Sequence, residues 1–198
     1  MNAPHTNSAS SPAGTAQRWA RALGFALAAA LVLGWAATPG AAQTGTQHEY
    51  EIKAGVLYNI LKYVEWPADA SASAATTIQI GLLGQLPYAA ALEVLDGKTI
   101  QGRKLVVKRI ATAQQAGSCQ VLFIGASERP RLAAIVAELK SRPVLTVSEV
   151  EGFAELGGMV NLVAGPNRII MEINREVAGQ ARLSISSQLL KLAKVFPR

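Results

Sequence analysis

Histidine, the side chain best suited to proton transfer near neutral pH, occurs only as His5 and His48. A Ser–His or Cys–His nucleophile would therefore depend on His48, at the frayed start of a helical pattern. A zinc site drawing on histidine and cysteine beyond the N-terminal segment has two ligands to use, His48 and Cys119, against the usual three or four. The phosphate-loop pattern ending Gly-Lys-Ser/Thr is absent. Gly81-Leu-Leu-Gly84 lacks the spacing and third glycine of a dinucleotide turn. Gly125-Ala-Ser127 lacks the flanking glycines of a nucleophile elbow. Glu149, Glu151 and Glu155 cluster beyond a strand pattern and are the remaining acid–base candidates, although three acids on a turn ordinarily form a solvated surface. On this inventory the chain is not an enzyme, with no catalytic residue, metal ligand set or cofactor assigned.

The concentrated chemistry is aromatic. Leu57-Tyr-Asn-Ile-Leu-Lys-Tyr-Val-Glu-Trp-Pro67 packs two Tyr and one Trp into a single helical stretch. Tyr58, Asn59, Lys62, Tyr63 and Trp66 are the candidate partner- or ligand-binding residues, because aromatic anchors dominate interfaces. The plainer alternative is that the rings seal the helix against a sheet.

The elements that would position these residues follow from apolar periodicity. Glu49–Val64 reads as a helix, with Ile52, Val56, Ile60 and Tyr63 forming the stripe, Leu57, Leu61 and Val64 widening it, and Lys53 and Lys62 opposite. Pro67 ends it. Six strand patterns follow, at 78–84, 104–110, 119–124, 143–147, 159–163 and 168–173. Helices are expected at 88–95, at 128–140 with Ser127 as cap, at 174–181 and at 186–195. Ala164-Gly-Pro-Asn167 has the composition of a hairpin turn between the last two strands. The fold class is α/β, a three-layer sandwich with a mixed sheet of about six strands, a C-terminal β-hairpin and helices on both faces. Cys119 heads a fully apolar run, so burial in a strand is its expected fate.

The N-terminus has its own logic. Arg18 and Arg21 precede an uncharged apolar run from Ala22 to Ala37, closed by Thr38-Pro-Gly40 and the small residues Ala41 and Ala42. Basic flank, apolar stretch and small-residue exit are the parts of a cleaved secretory signal. The expected division is a signal peptide at 1–42 and a single α/β domain at 43–198, placed in the periplasm. The run is shorter than the roughly 18–20 residues needed to cross a bilayer, so contact with the membrane is expected only during export. Formal charge is +6 at pH 7, but the cations are scattered. Aromatics make up 6% of the chain, too few for base-stacking modules. No nucleic-acid partner is expected.

The helix ending Glu65-Trp66-Pro67, with Tyr58, Asn59 and Lys62 before it, resembles the opening of the YfiR family of periplasmic proteins. Gly102-Arg-Lys-Leu-Val-Val-Lys-Arg109, Cys119–Ile124, Leu145-Thr-Val147, Gly157–Val163, Met171-Glu-Ile-Asn174 and Ile185–Val195 follow in that family's order. The resemblance runs from about Tyr50 to Val195. It implies an α/β sandwich that often forms a homodimer and performs no catalysis. It further implies that the protein binds the periplasmic part of an inner-membrane diguanylate cyclase, holds it inactive and lowers cyclic di-GMP. One departure stands out. Relatives with a bridge pair a first-strand cysteine with the one matching Cys119; here Gly81 occupies the matching position, so Cys119 is expected unpaired. The competing class is a periplasmic small-molecule binding or transport-accessory protein using the aromatic surface.

Overall fold

The computed structural model describes residues 40–68, 76–87, 89–166 and 168–197. The expected leader, 1–42, lies outside the described residues except for its last three. Apart from Gly40 and Ala41, which begin the first helix, the described residues belong to one compact unit, Ala42–Arg198.

The chain order is α1 (Gly40–Leu61), β1 (Val64–Glu65), β2 (Thr77–Leu83), α2 (Ala89–Glu93), β3 (Thr99–Ile100), β4 (Arg103–Ile110), β5 (Val121–Ile124), α3 (Leu132–Leu139), β6 (Leu145–Ser148), β7 (Val160–Ala164), β8 (Ile169–Asn174), α4 (Arg175–Gln180), β9 (Ser184–Ile185), α5 (Ser187–Leu190) and β10 (Lys194–Phe196). Short 3-10 turns at Ala113–Ser118 and Ala126–Arg131 precede β5 and α3. Eight strands form one mixed sheet in the order β10-β8-β7-β6-β5-β2-β4-β3, and β1 pairs with β9 in a two-stranded ribbon. β4, β2, β5, β6 and β7 run parallel. β7 and β8 are antiparallel, which is the expected hairpin.

Alternation along the central strands divides the core in two. Val121 and Phe123 of β5 join Leu57, Ile60 and Leu61 of α1 in one cluster. Leu122 and Ile124 point the other way and join Leu132, Ile135 and Leu139 of α3. With both faces covered, every β5 residue is buried, as parallel strands between helix layers require. Each such Leu, Ile, Val or Phe contributes about 1.5–3 kcal/mol. The three-layer α/β sandwich is therefore present, with a larger sheet than six strands.

The differences from the sequence expectation have local causes. The segment 186–195 is not one helix. α5 stops at Leu190 and the chain extends as β10 beside β8, pairing Lys194 with Glu172 and Val195 with Ile173. Ser127 does not cap α3, because its hydroxyl accepts from the Gln85 N–H at 2.8 Å. Ser186 and Asn174 do cap, accepting from Leu189 and Val177. α1 is rotated from the expected stripe: Ile52 is 41% exposed and Lys53 only 3%. Its buried face reads Tyr50, Lys53, Ala54, Leu57, Ile60, Leu61, with Val64 continuing the line into β1.

Cys119 is buried and free. A Cβ built on Gly81 would lie 3.0 Å from its sulfur, and a disulfide with an S–S bond of about 2.05 Å places each Cβ ~3 Å from the partner sulfur. Gly81→Cys should therefore close a bridge to Cys119 on mild oxidation, read as loss of both free thiols by mass spectrometry. The expected gain is about 2–4 kcal/mol from restricting the unfolded chain, reduced by the crowding of Ile110 and Leu122 methyls at 3.2 and 3.3 Å. Two thiols that both remain alkylatable in the oxidised, folded variant would contradict this geometry.

Candidate functional site

The five aromatic-segment residues do not converge on one point. They occupy the last turns of α1 and the exit into β1, and successive side chains leave the helix in different directions. Tyr58 leans toward β3, its hydroxyl donating to the Thr99 carbonyl at 3.1 Å. The ammonium groups of Lys62 and Lys98 lie over its ring at 4.6 and 6.0 Å. Lys62 does not pair with Glu65; it donates to Asn59 Oδ1 at 3.1 Å. Trp66 turns inward, donates its indole N–H to the Gln120 carbonyl at 3.0 Å and carries the Arg103 guanidinium at 5.5 Å from its ring. Burial pushes the Arg103 guanidinium below its ordinary value. Trp66 thus fastens the segment after α1 to the start of β5, which is the sealing role.

Two grooves flank α1. One, of about 570 Å³, lies between α1 and α2 and is lined by Ala54, Gly55, Tyr58, Ala91, Val94 and Lys98 among others. The other, of about 510 Å³, lies between α1, β8 and the segment after α5, and takes in Asn59 and Tyr63. Tyr58 therefore faces one groove and Asn59 and Tyr63 the other, while Lys62 and Trp66 line neither.

A cluster that periodicity did not reveal sits on the buried face. Lys53 Nζ is held 2.6 Å from Glu49 Oε1 and 2.7 Å from Glu149 Oε2. The Tyr50 hydroxyl donates to Glu149 Oε1 at 2.6 Å, and Lys53 also lies 4.7 Å from the centre of the Tyr50 ring. Glu149, at the end of β6, is thus committed to anchoring α1 and is not a solvated acid of an exposed turn. Burial, then the Glu149 hydrogen bond and charge, push the Tyr50 phenol well above its ordinary value of 10.0. The Glu49/Lys53 spacing was the available signal in the sequence, since i,i+4 pairs of this orientation meet on a helix. Nothing local links Lys53 to Glu149.

Other sequence candidates are dispersed. His48 is exposed, 3.6 Å from Glu51. Burial raises the Cys119 thiol above its ordinary value, while Lys108 and Ser118 draw it back. Among the described residues, no group of three or more His, Cys, Asp or Glu is placed to hold a metal, and no helix is long and apolar enough to cross a membrane.

Residues 50–194 match the model of the YfiR/HmsC-like family, from Tyr50 of the buried cluster to Lys194 of β10. The chain belongs to that family. Among solved structures, a conserved domain protein from Vibrio cholerae O1 biovar El Tor is similar at 14% identity and a TM-score of 0.51, covering 74% of this chain and 59% of that one. At that identity the likeness concerns the fold alone, and this chain spans about three fifths of that protein's length. A Streptococcus pneumonia ABC domain in complex with L-Trp aligns at 11% identity and a TM-score of 0.45, over 60% of this chain and 54% of that one.

For this YfiR/HmsC-like chain the buried cluster generates two expectations. Lys53→Met leaves Glu149 without its cation in a nearly dry site and should cost about 3–5 kcal/mol in urea unfolding; exposed Glu51→Gln should stay within about 0.5 kcal/mol. Equal midpoints for the two variants would exclude an anchoring role. The second concerns pH. Because folding raises the Tyr50 pKa, its contribution is whole below about pH 10 and declines as the unfolded phenol ionises above it. Stability should therefore fall more steeply above pH 10 in the wild type than in Tyr50→Phe. Parallel stability–pH curves would contradict this.

Proposed function

We propose that the protein is an exported, non-catalytic regulator that docks on the periplasmic part of an inner-membrane signalling protein, a diguanylate cyclase, and holds it inactive. The observation that carries this reading is membership of the YfiR/HmsC-like family over residues 50–194. The chemistry of the described residues is in keeping with it. Glu149 is consumed by Lys53 and Tyr50, and Trp66 by Gln120. Asn59 and Lys62 stay exposed, and Tyr58 and Tyr63 are only partly covered.

Regulation by docking needs no bond-making step. It needs a partner with two states that bind this protein unequally, and a tenfold preference for the inactive state is worth about 1.4 kcal/mol. Tyr58, Asn59, Lys62, Tyr63 and Trp66 belong to this proposal as the aromatic-segment surface. Trp66 acts within it by holding the segment in place.

A second reading, a periplasmic small-molecule binder, draws on the groove between α1 and α2. Its volume of about 570 Å³ lies within the range of ligand pockets, roughly 300–1,000 Å³. A thermal-shift screen of metabolites, run beside a pull-down, separates the two: a strong ligand effect with no partner recovered favours the small-molecule binder.

Deleting the gene should raise cellular cyclic di-GMP, measured by mass spectrometry, and a plasmid-borne copy should restore the lower level. The periplasmic fraction should contain a chain beginning at Gln43. An unchanged nucleotide level in a strain that demonstrably makes the protein would overturn the regulatory reading.

A further inference from the structure

The apolar arc of α1 is wider than the sheet it covers. Its buried edge is Tyr50, Ala54, Leu57 and Leu61, but Ile52 is 41% exposed, and Val56 and Tyr63 are only half-buried. Val56 and Tyr63 form one wall of the groove beside β8, with Ile169 and Met171 opposite and Leu192 at its mouth. Leu192 is 77% exposed. A side chain of that size held in water on the rim of an apolar groove marks a surface that gains from being covered.

The charges say what would cover it. Arg168 and Lys194 line the groove, and no carboxylate does. Glu172 neutralises Lys194 at 2.8 Å. Arg168, and Lys191 next to Leu192, are exposed and have no carboxylate partner among the described residues. The α1 part of the wall runs from Val56 to Ile60, which at 1.5 Å per residue is about 6 Å, or one helical turn, and Tyr63 extends it from the turn that follows. Apolar walls of that length, with the Arg168 cation in the groove and Lys191 beside Leu192 in the chain, fit the apolar stripe of a short amphipathic helix whose flanks carry Asp or Glu.

We infer that this groove docks an acidic amphipathic helix of the partner protein. The inference rests on the regulatory reading and deepens it by assigning the surface: Val56, Tyr63 and Leu192 receive the apolar stripe, and Arg168 and Lys191 meet the acidic flanks. Asn59 lies within the groove, so the helix meets the Asn59 and Tyr63 side of the aromatic-segment surface, and Tyr58 faces the other groove.

The test uses the mature chain and the purified periplasmic segment of the membrane-bound cyclase from the same organism, with binding followed by calorimetry. Leu192→Glu and Arg168→Glu should each weaken binding about tenfold or more, as loss of an interface anchor does. Val94→Glu in the other groove should bind as the wild type does. Thermal unfolding of all three should match the wild type, because the substituted side chains are exposed. Wild-type binding with both groove variants unaffected would overturn the groove and leave the regulatory reading standing. Failure of the wild-type chain itself to bind would overturn the regulatory reading and the groove with it. Sedimentation without the cyclase segment supplies a further check: a wild-type dimer converted to monomer by Leu192→Glu would make the occupant a second copy of this chain and refute the inference.

Discussion

An ammonium group taken out of water must be met by negative charge, and Lys53 meets two carboxylates, one from its own helix and one from the end of β6. This constraint sets the rotation of α1. Once Lys53 points at Glu149, Tyr50 follows onto the same carboxylate, and Ala54, Leu57 and Leu61 turn onto the sheet. Ile52, Val56 and Tyr63, apolar as they are, are carried to the flank. A purely hydrophobic docking would have several rotations of similar energy, since the apolar arc is broad. The ion pair selects one of them, at the cost of leaving apolar surface for something else to cover.

That selection organises the aromatic segment as well. With α1 fixed, its last turn tightens through Lys62 and Tyr63 N–H bonds to Asn59 and Ile60 carbonyls, and the chain exits along β9. Trp66 then reaches the Gln120 carbonyl beside the start of β5. Residues that look like one recognition patch in the sequence are distributed by helical geometry into different jobs. Trp66 anchors the exit from the helix, Tyr58 faces the groove toward α2, and Asn59 and Tyr63 face the groove toward β8.

The same economy of contacts appears at Gly81. Its missing side chain leaves room for Cys119, Ile110 and Leu122 to close over the sheet, so two central strands meet without a covalent link. Both faces of the sheet are covered, and a core of this extent stands on burial alone. Burial disfavours ionisation of the Cys119 thiol, which packs as a small apolar side chain.

The order of β2, β4, β5, β6, β7 and β8 and the hairpin of β7 and β8 were legible in the sequence, because apolar runs such as Val121–Ile124 are long enough, and bounded clearly enough, to declare themselves. The two-residue strands β1, β3 and β9 leave no such pattern. The family was legible in the ordered motifs between Tyr50 and Val195. β10 was not, since three residues with Leu189 and Leu192 nearby carry a helical period until β8 offers its edge. Ser127 reads as a cap until Gln85 claims its hydroxyl. By itself, then, the sequence determined the α/β class, the aromatic segment and the poverty of acid–base groups, all of which rest on local pattern and composition. Only the tertiary structure decided that Lys53 is buried, that Glu149 is its counter-ion and that one flank of α1 stays uncovered. A pairing between residues almost a hundred positions apart leaves no local period, and it exists only once the sheet has brought the end of β6 under the helix.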